Sequence, residues 1–487
     1  MPRMKPAPPV LDPDHLAPFV DPLPVPPVAK PAGRRGKSPF YRIPIHEFHA
    51  KIHRDVRPTR FWGYGNSMPG PTIEARSGEE IIVEWPNQLP PKHFLTIDNS
   101  VMGAEKGVPE SRTVVHVHGA RVQPDSDGWP EAWYTPGKSA TYRYPNRQDA
   151  ALLWYHDHAM GINRLNVCAG MAGLYIVRDA FEDALNLPKG PYEIPLVLMD
   201  RMFQPDGQIY YPVSEFPEAP WMPEYTGNAV LINGKLLPYL EVEPRKYRFR
   251  LLNASNGRFY FLSLDNNAPF HQIGTDQGLL PAPVTVSLLT IAPGERADLI
   301  VDFAEYRGKS VLLKNLSSTL MQFRVASGSA PDTSTLPPIL RPVPKIAESE
   351  AIVTRKLSLQ EFDNVRGEPV VHLLDGKHWH DPVSESRYWA PPKFGSFSTS
   401  PTTPIPFISI WSASRFWTAG RSNHPLLFTT TRSSTPVTPC RPTPMRQDGK
   451  IPCGLHPAQQ PVSSSSLKAI PVAMSGTATS SNMRTTK

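Results

Sequence analysis

Short segments in which apolar and polar residues alternate, among them EEIIVEW (Glu79–Trp85) and KYRFRLLN (Lys246–Asn253), recur along this chain between Gly, Pro and Asn turns. Successive side chains of an extended strand point to opposite faces, so this period of two specifies strands with a buried face and predicts an all-β chain of sandwiches. Long helical periodicity is scarce. The 59 prolines are concentrated in the first forty residues and near the end. At 487 residues the chain is long enough for three domains of ordinary size.

Two of the extended runs carry histidine at i and i+2: HVHG (His116–Gly119) and WYHDH (Trp154–His158). Positions two apart share one strand face, so each run can aim two neutral ring nitrogens at one point. Four convergent imidazoles suit copper, zinc, iron or nickel rather than calcium or magnesium. A lone HxH also occurs on solvated strand faces, where it binds nothing. Here the runs are flanked by HGARVQPDSDGWPEAW (His118–Trp133) and AMGINRLNVCAGMAGLY (Ala159–Tyr175), and the two pairs are expected to converge on adjacent strands.

Further stretches fit the same context: FVDPLPVP from Phe19, HRDVRPTRFWGYGNSMPGPTIEARSGEEIIVEW (His53–Trp85), VLINGKLLPYLEVEPRKYRFRLLNAS (Val230–Ser255), IAPGERADLIVDF (Ile291–Phe303) and HWHDPVSE (His378–Glu385). Together, from about Phe19 to Ser384, the text resembles the multicopper oxidases, specifically the bacterial spore-coat laccase and bilirubin oxidase branch. The resemblance implies tandem cupredoxin-like Greek-key sandwiches: a proline-rich segment 1–40, a first domain 41–180, a second 181–350, and the start of a third at 351–388. It also implies four coppers in an intact member, three in a cluster between the first and third domains and one type 1 copper in the third. Transferred position by position, His116 would bind the type 2 copper, and His118, His156 and His158 the type 3 pair. Asp127 matches an acidic residue near the cluster, where a carboxylate would orient water or relay protons, although an Asp before Gly128 also suits a turn. His372, His378 and His380 read as structural residues of a strand leading into the third domain, and Cys168 as a core residue.

Such enzymes take single electrons from phenols, aromatic amines or bilirubin and reduce dioxygen to water. The expected partners are therefore dioxygen and a small aromatic reductant, with no nucleic acid and no membrane, and the expected state is a monomer. The family's third-domain ligands, HPIHLH and HCH, are absent from this chain. Its three cysteines, Cys168, Cys440 and Cys453, have no histidine neighbour. On this reading the chain as written keeps half the cluster ligands and no type 1 site, so it is expected to be inactive. The alternative is a non-catalytic truncated remnant that binds copper weakly or not at all.

From about Ala390 the composition turns to Ser, Thr, Pro and Arg, with ten Lys or Arg and one acid, Asp448. The rest of the chain holds 41 basic and 43 acidic residues, so the overall charge of +7 belongs to the tail and does not argue for nucleic-acid binding. Such a composition also suits a disordered extension. Read one base out of frame, however, Thr402–Phe416 is compatible with DTHPIHLHLVRFQVL, Gln447–Cys453 with GWKDTVR, and Met474–Lys487 with VWHCHILEHEDNEM. These are the missing third-domain motifs, in order and from one offset. The segment 389–487 thus reads as a frame-shifted, largely disordered tail, with the slip near Ser384–Tyr388, that does not complete a third sandwich. No apolar run reaches membrane-spanning length, and MPRMKPAPPVLDPDHL lacks the apolar core of a signal peptide. The expected location is cytoplasmic, or the spore coat by resemblance.

Overall fold

The computed structural model describes residues 9–213, 225–344, 347–350, 354–364 and 369–382, together with three short strands at 394–399, 426–430 and 473–474. The first sandwich packs two four-stranded sheets. One comprises Gly33–Arg35, Ser38–Arg42, Ile81–Pro86 and Ser139–Tyr144 in that spatial order; the other orders Gly70–Arg76, Ala172–Arg178, Ala151–Asp157 and Val115–His118. Between the sheets lies a core of Phe61, Trp62, Tyr64, Ile73, Trp85, Val115, Leu153 and Tyr155, all essentially inaccessible. The second sandwich sets an eight-stranded sheet, which includes Glu193–Phe203, Lys246–Asn253 and Arg296–Asp302, against a five-stranded one that includes Tyr260–Leu264 and Ser318–Val325. A separate core, with Phe249, Leu251, Phe303 and Phe323, fills it. The all-β expectation holds. A further five-stranded sheet follows, built on the Thr354–Asp363 and Pro369–Leu374 strands and continued by the three short strands of the tail. Most of the tail, including Cys440, Cys453 and the stretches that read as out-of-frame motifs, lies outside the described residues. Among the described residues no helix is long and apolar enough to cross a membrane.

The proline-rich beginning is bound to both sandwiches. Leu11, Phe19 and Leu23 donate backbone N–H bonds to the carbonyls of Phe203, Leu237 and Tyr239 in the second sandwich, while Ala29 and Thr72 pair in the first. Proline suits such a path because it fixes an extended backbone and gives up a donor that a strap running along a sheet edge does not need.

KYRFRLLN behaves as its alternation predicts on one side only. Tyr247, Phe249 and Leu251 enter the core, but Arg248 and Arg250 on the opposite face are buried too, at 3% and 2% exposure, with Glu182 of the short helix Ala180–Ala184 against them. They are held by three acids from three segments. Arg248 pairs with Asp298 through two hydrogen bonds of 2.8 and 2.5 Å. Arg250 reaches Glu193 at 2.7 Å, Asp298 at 2.9 Å and Glu182 at 2.6 Å. Glu193 then bonds Arg178 of the first sandwich at 3.1 Å, and Arg178 bonds Glu74 at 2.7 Å. Burial opposes ionisation of Glu193, yet the guanidinium groups of Arg250, Arg248 and Arg178 outweigh it and hold the carboxyl at about 2.

Removing one member of this buried network leaves charge uncompensated. Arg250→Met is expected to cost about 3–5 kcal/mol in urea unfolding. Glu193 has a depressed folded pKa, so the stability it supplies is present above its ordinary value of 4.5 and is lost as pH falls toward about 2. The advantage of the wild-type chain over Glu193→Gln should shrink across that window. An advantage independent of pH would contradict this account.

Candidate metal centre

The Val115–His118 strand pairs antiparallel with Ala151–Asp157, with His116 directly opposite His156 and His118 opposite Trp154. Val115 and Val117 face the core, so alternation turns His116 and His118 to the other side. His158 lies just past the second strand, where its N–H bonds the Val114 carbonyl at 2.8 Å. All four predicted histidines therefore meet. Ring centroids lie 5.5 Å apart for His116 and His156, 4.8 Å for His116 and His158, 5.6 Å for His118 and His156, and 5.8 Å for His156 and His158. One nitrogen from each of His116, His118 and His156 falls within 4.8 Å of the others.

Backbone carbonyls determine which nitrogens face inward. The Nδ1 of His116 bonds the Asp127 carbonyl at 2.5 Å, that of His156 the Asp157 carbonyl at 2.7 Å, and that of His158 the Gly128 carbonyl at 2.9 Å. A carbonyl only accepts, so each Nδ1 carries the proton and each Nε2 keeps a lone pair. His118 instead presents Nδ1, 3.3 Å from His156 Nε2. Two ring nitrogens this close need a proton or a cation between them, and the donor set fits a transition-metal ion.

Electrostatics favour the metal over the proton at three of the four rings. Burial, the Arg296 guanidinium and the other imidazoles keep His118 well below the ordinary value of 6.5. Burial and the flanking His116 and His158 do the same at His156, and burial with His116 lowers His158 to about 4. His116 goes the other way: burial lowers it, but the Asp127 charge and hydrogen bonding more than offset this. Asp127 is nearly buried, with Oδ1 3.4 Å from His116 Nδ1 and no hydrogen-bond partner for that oxygen among the described residues.

Three participants escaped sequence reading. Trp154 lays its ring against His156 at 4.1 Å and His118 at 5.4 Å between centroids. Asp157, between two ligand candidates, faces the core, where it accepts from Thr113 Oγ1 at 2.8 Å and from the backbone of Val114 and Ala159 at 3.3 and 3.1 Å. Burial lifts its carboxyl to about 6 despite those bonds. The i+1 position of an HxH run must face the core, so its polarity was the available signal. Arg296 arrives from the second sandwich and donates to the Leu152 carbonyl at 3.2 Å, in the strand bearing His156. It had no local signal.

The other histidines singled out by sequence, His372, His378 and His380, lie outside this cluster. His372 sits on a strand and bonds Glu361 at 2.7 Å. His378 and His380 lie not in a strand but in a turn beyond it, closed by the His378 N–H to the Asp381 carboxylate at 2.8 Å. Cys168 is buried, as expected.

Known proteins resemble this chain over most of its length. Residues 48–109 and 106–181 match the family model described as multicopper oxidase. A laccase of Bacillus stratosphericus is 45% identical over 412 residues, covering 78% of this chain and 79% of that one. A laccase of Bacillus subtilis strain 168 is 42% identical over 409 residues, with the same coverage. Among solved structures, a laccase from Pediococcus acidilactici Pa5930 superposes with a TM-score of 0.67 at 27% identity, covering 79% of this chain and 77% of that one.

Gly128 is the residue on which the carbonyl arrangement turns. Its φ is +79°, and a Cβ there would stand 2.1 Å from the Val115 carbonyl oxygen. Gly128→Ala should push the loop off the strand, costing about 1–3 kcal/mol of stability. Copper(II) affinity, measured by competitive chelator titration, should fall with it. A variant with unchanged stability and affinity would show that the loop tolerates displacement.

Proposed function

The chain belongs to the multicopper oxidase family, and from that premise we propose that His116, His118, His156 and His158 are its share of a trinuclear copper site. There dioxygen is reduced to water with electrons drawn singly from a phenol, an aromatic amine or bilirubin. The enzyme is an oxidoreductase of laccase type. The single observation that carries the site assignment is that ring nitrogens of His116, His118 and His156 lie within 4.8 Å of one another with the His158 ring stacked on that of His116, while backbone carbonyls bind Nδ1 of His116, His156 and His158.

Copper bound here supplies the one-electron redox steps and the binding of oxygen. The chain's own residues supply the rest. The buried, basicity-suppressed rings of His118, His156 and His158 stay neutral at ordinary pH, which leaves their lone pairs available. Asp127 holds a carboxylate oxygen beside His116 with no competing hydrogen bond, and there it can take up and pass on a proton to reduced oxygen. Asp157 pins the strand end between His156 and His158. Trp154 covers the face of two rings and excludes water from them.

We further propose that the chain as written does not turn over. The sequence contains neither HPIHLH nor HCH, and no cysteine has the histidine neighbours of a type 1 site, so electrons have no way in. A slip of one base near Ser384–Tyr388 accounts for this. The reading of a non-catalytic remnant that holds copper at the first sandwich alone is favoured by the three ligand atoms within 4.8 Å of one another. Restoring the frame should return the intense blue colour of a copper–thiolate bond and turnover of a phenol. Equal rates from the copper-loaded chain as written would end the proposal. Resequencing codons 380–395 distinguishes a reading error from a genuine mutation. In the frame-repaired protein, Asp127→Asn should lower turnover by about 10²–10⁴ while leaving copper content intact. The active form is taken to be a monomer, cytoplasmic or deposited on a spore coat.

A further inference from the structure

Glu131 receives indole N–H groups from two distant parts of the chain. Trp129 Nε1 donates to Oε2 at 3.1 Å, and Trp379 Nε1 donates to Oε1 at 3.2 Å from 248 residues further on. The two indoles stack with centroids 5.2 Å apart and planes inclined 31°. His380 Nδ1 lies 3.5 Å from the same carboxylate, and Trp379 is only 8% exposed. The turn that contributes Trp379 and His380 follows the Pro369–Leu374 strand. The loop that contributes Trp129 and Glu131 supplies the carbonyls gripping His116 and His158.

The connection is one peptide plane. The Gly128 carbonyl that accepts from His158 Nδ1 shares its plane with the Trp129 amide. Gly128 has no Cβ to restrict that plane, so the anchoring of Trp129 bears directly on whether the carbonyl can rotate away from the ring. On the far side, the Pro130 carbonyl accepts the Met160 N–H at 2.9 Å, two residues past His158. We infer that Glu131 and Trp379 form a latch by which the turn after the Pro369–Leu374 strand holds the Gly128–Trp129 peptide in the pose that keeps His158 in its Nδ1–H form. Glu131 and Trp379 are positioning residues. They act on His158 through a carbonyl.

The test uses the full chain with ¹⁵N-labelled histidine, free of metal and at mildly alkaline pH, where ring nitrogen shifts report the tautomer. Wild type should show His158 as Nδ1–H alone. Glu131→Gln and Trp379→Ala should bring in the Nε2–H form that free imidazole favours, with Trp379→Phe, which keeps the stack and loses the N–H, in between. Copper(II) titration forms a second arm, which rests on the proposed function: the first two variants should bind about tenfold more weakly. Unchanged His158 shifts in both of these variants overturn the latch, and so does weaker copper binding without a tautomer change. Should Trp379→Ala fail to fold, the nearly isosteric Glu131→Gln decides alone. A tautomer change in a chain whose wild type binds no copper(II) leaves the latch standing and removes the copper reading instead.

Discussion

The register between the Val115–His118 and Ala151–Asp157 strands is the constraint on which the site depends. With His116 opposite His156, two imidazoles from different strands stand side by side, and two more follow from the period of two along each strand. A slip by one residue would send the four rings into the core and turn Val115, Val117, Tyr155 and Asp157 outward. The slip is resisted on both faces. Core packing holds the valines, and Asp157 is satisfied by Ala159 beside it and by Thr113 and Val114, which the native register places within reach. Burying a carboxyl there would be costly without those donors.

A second layer of control comes from groups that are not side chains. Three carbonyls choose the tautomer at His116, His156 and His158, and two of them belong to consecutive residues of one loop. Carbonyls at such positions fix both ring orientation and the nitrogen left free. This arrangement also explains why the loop approaches the strand so closely. A residue larger than glycine at Gly128 would occupy the space of the Val115 carbonyl.

What the sequence disclosed follows from what period-two reasoning can see. It placed each HxH pair on one face, and the flanking text placed both pairs in one family, so the quartet and the all-β class were legible. It could not show what covers the polar side of KYRFRLLN, because alternation gives the face and not its neighbour. Nothing in the pattern therefore marked Arg248 and Arg250 as the centre of a buried ion network. His378 and His380 read as strand residues, yet the local hydrogen bond from His378 to Asp381 folds them into a turn. Arg296 and Trp379 were invisible for the same reason as the network: their partners are far away in sequence.

The strap formed by Leu11 to Ala29 has a consequence for synthesis. Its backbone partners in the second sandwich include Leu237 and Tyr239, more than two hundred residues downstream of Phe19 and Leu23. At about 5–20 residues per second, a ribosome needs roughly 10–40 s to deliver them. Phe19 and Leu23 thus find these partners only after more than two hundred further residues have been made. Through that interval the nascent chain carries a proline-rich strap without its full set of partners, and its composition suits the wait. Proline donates no backbone hydrogen bond, so the undocked segment makes a poor edge for another chain to pair with.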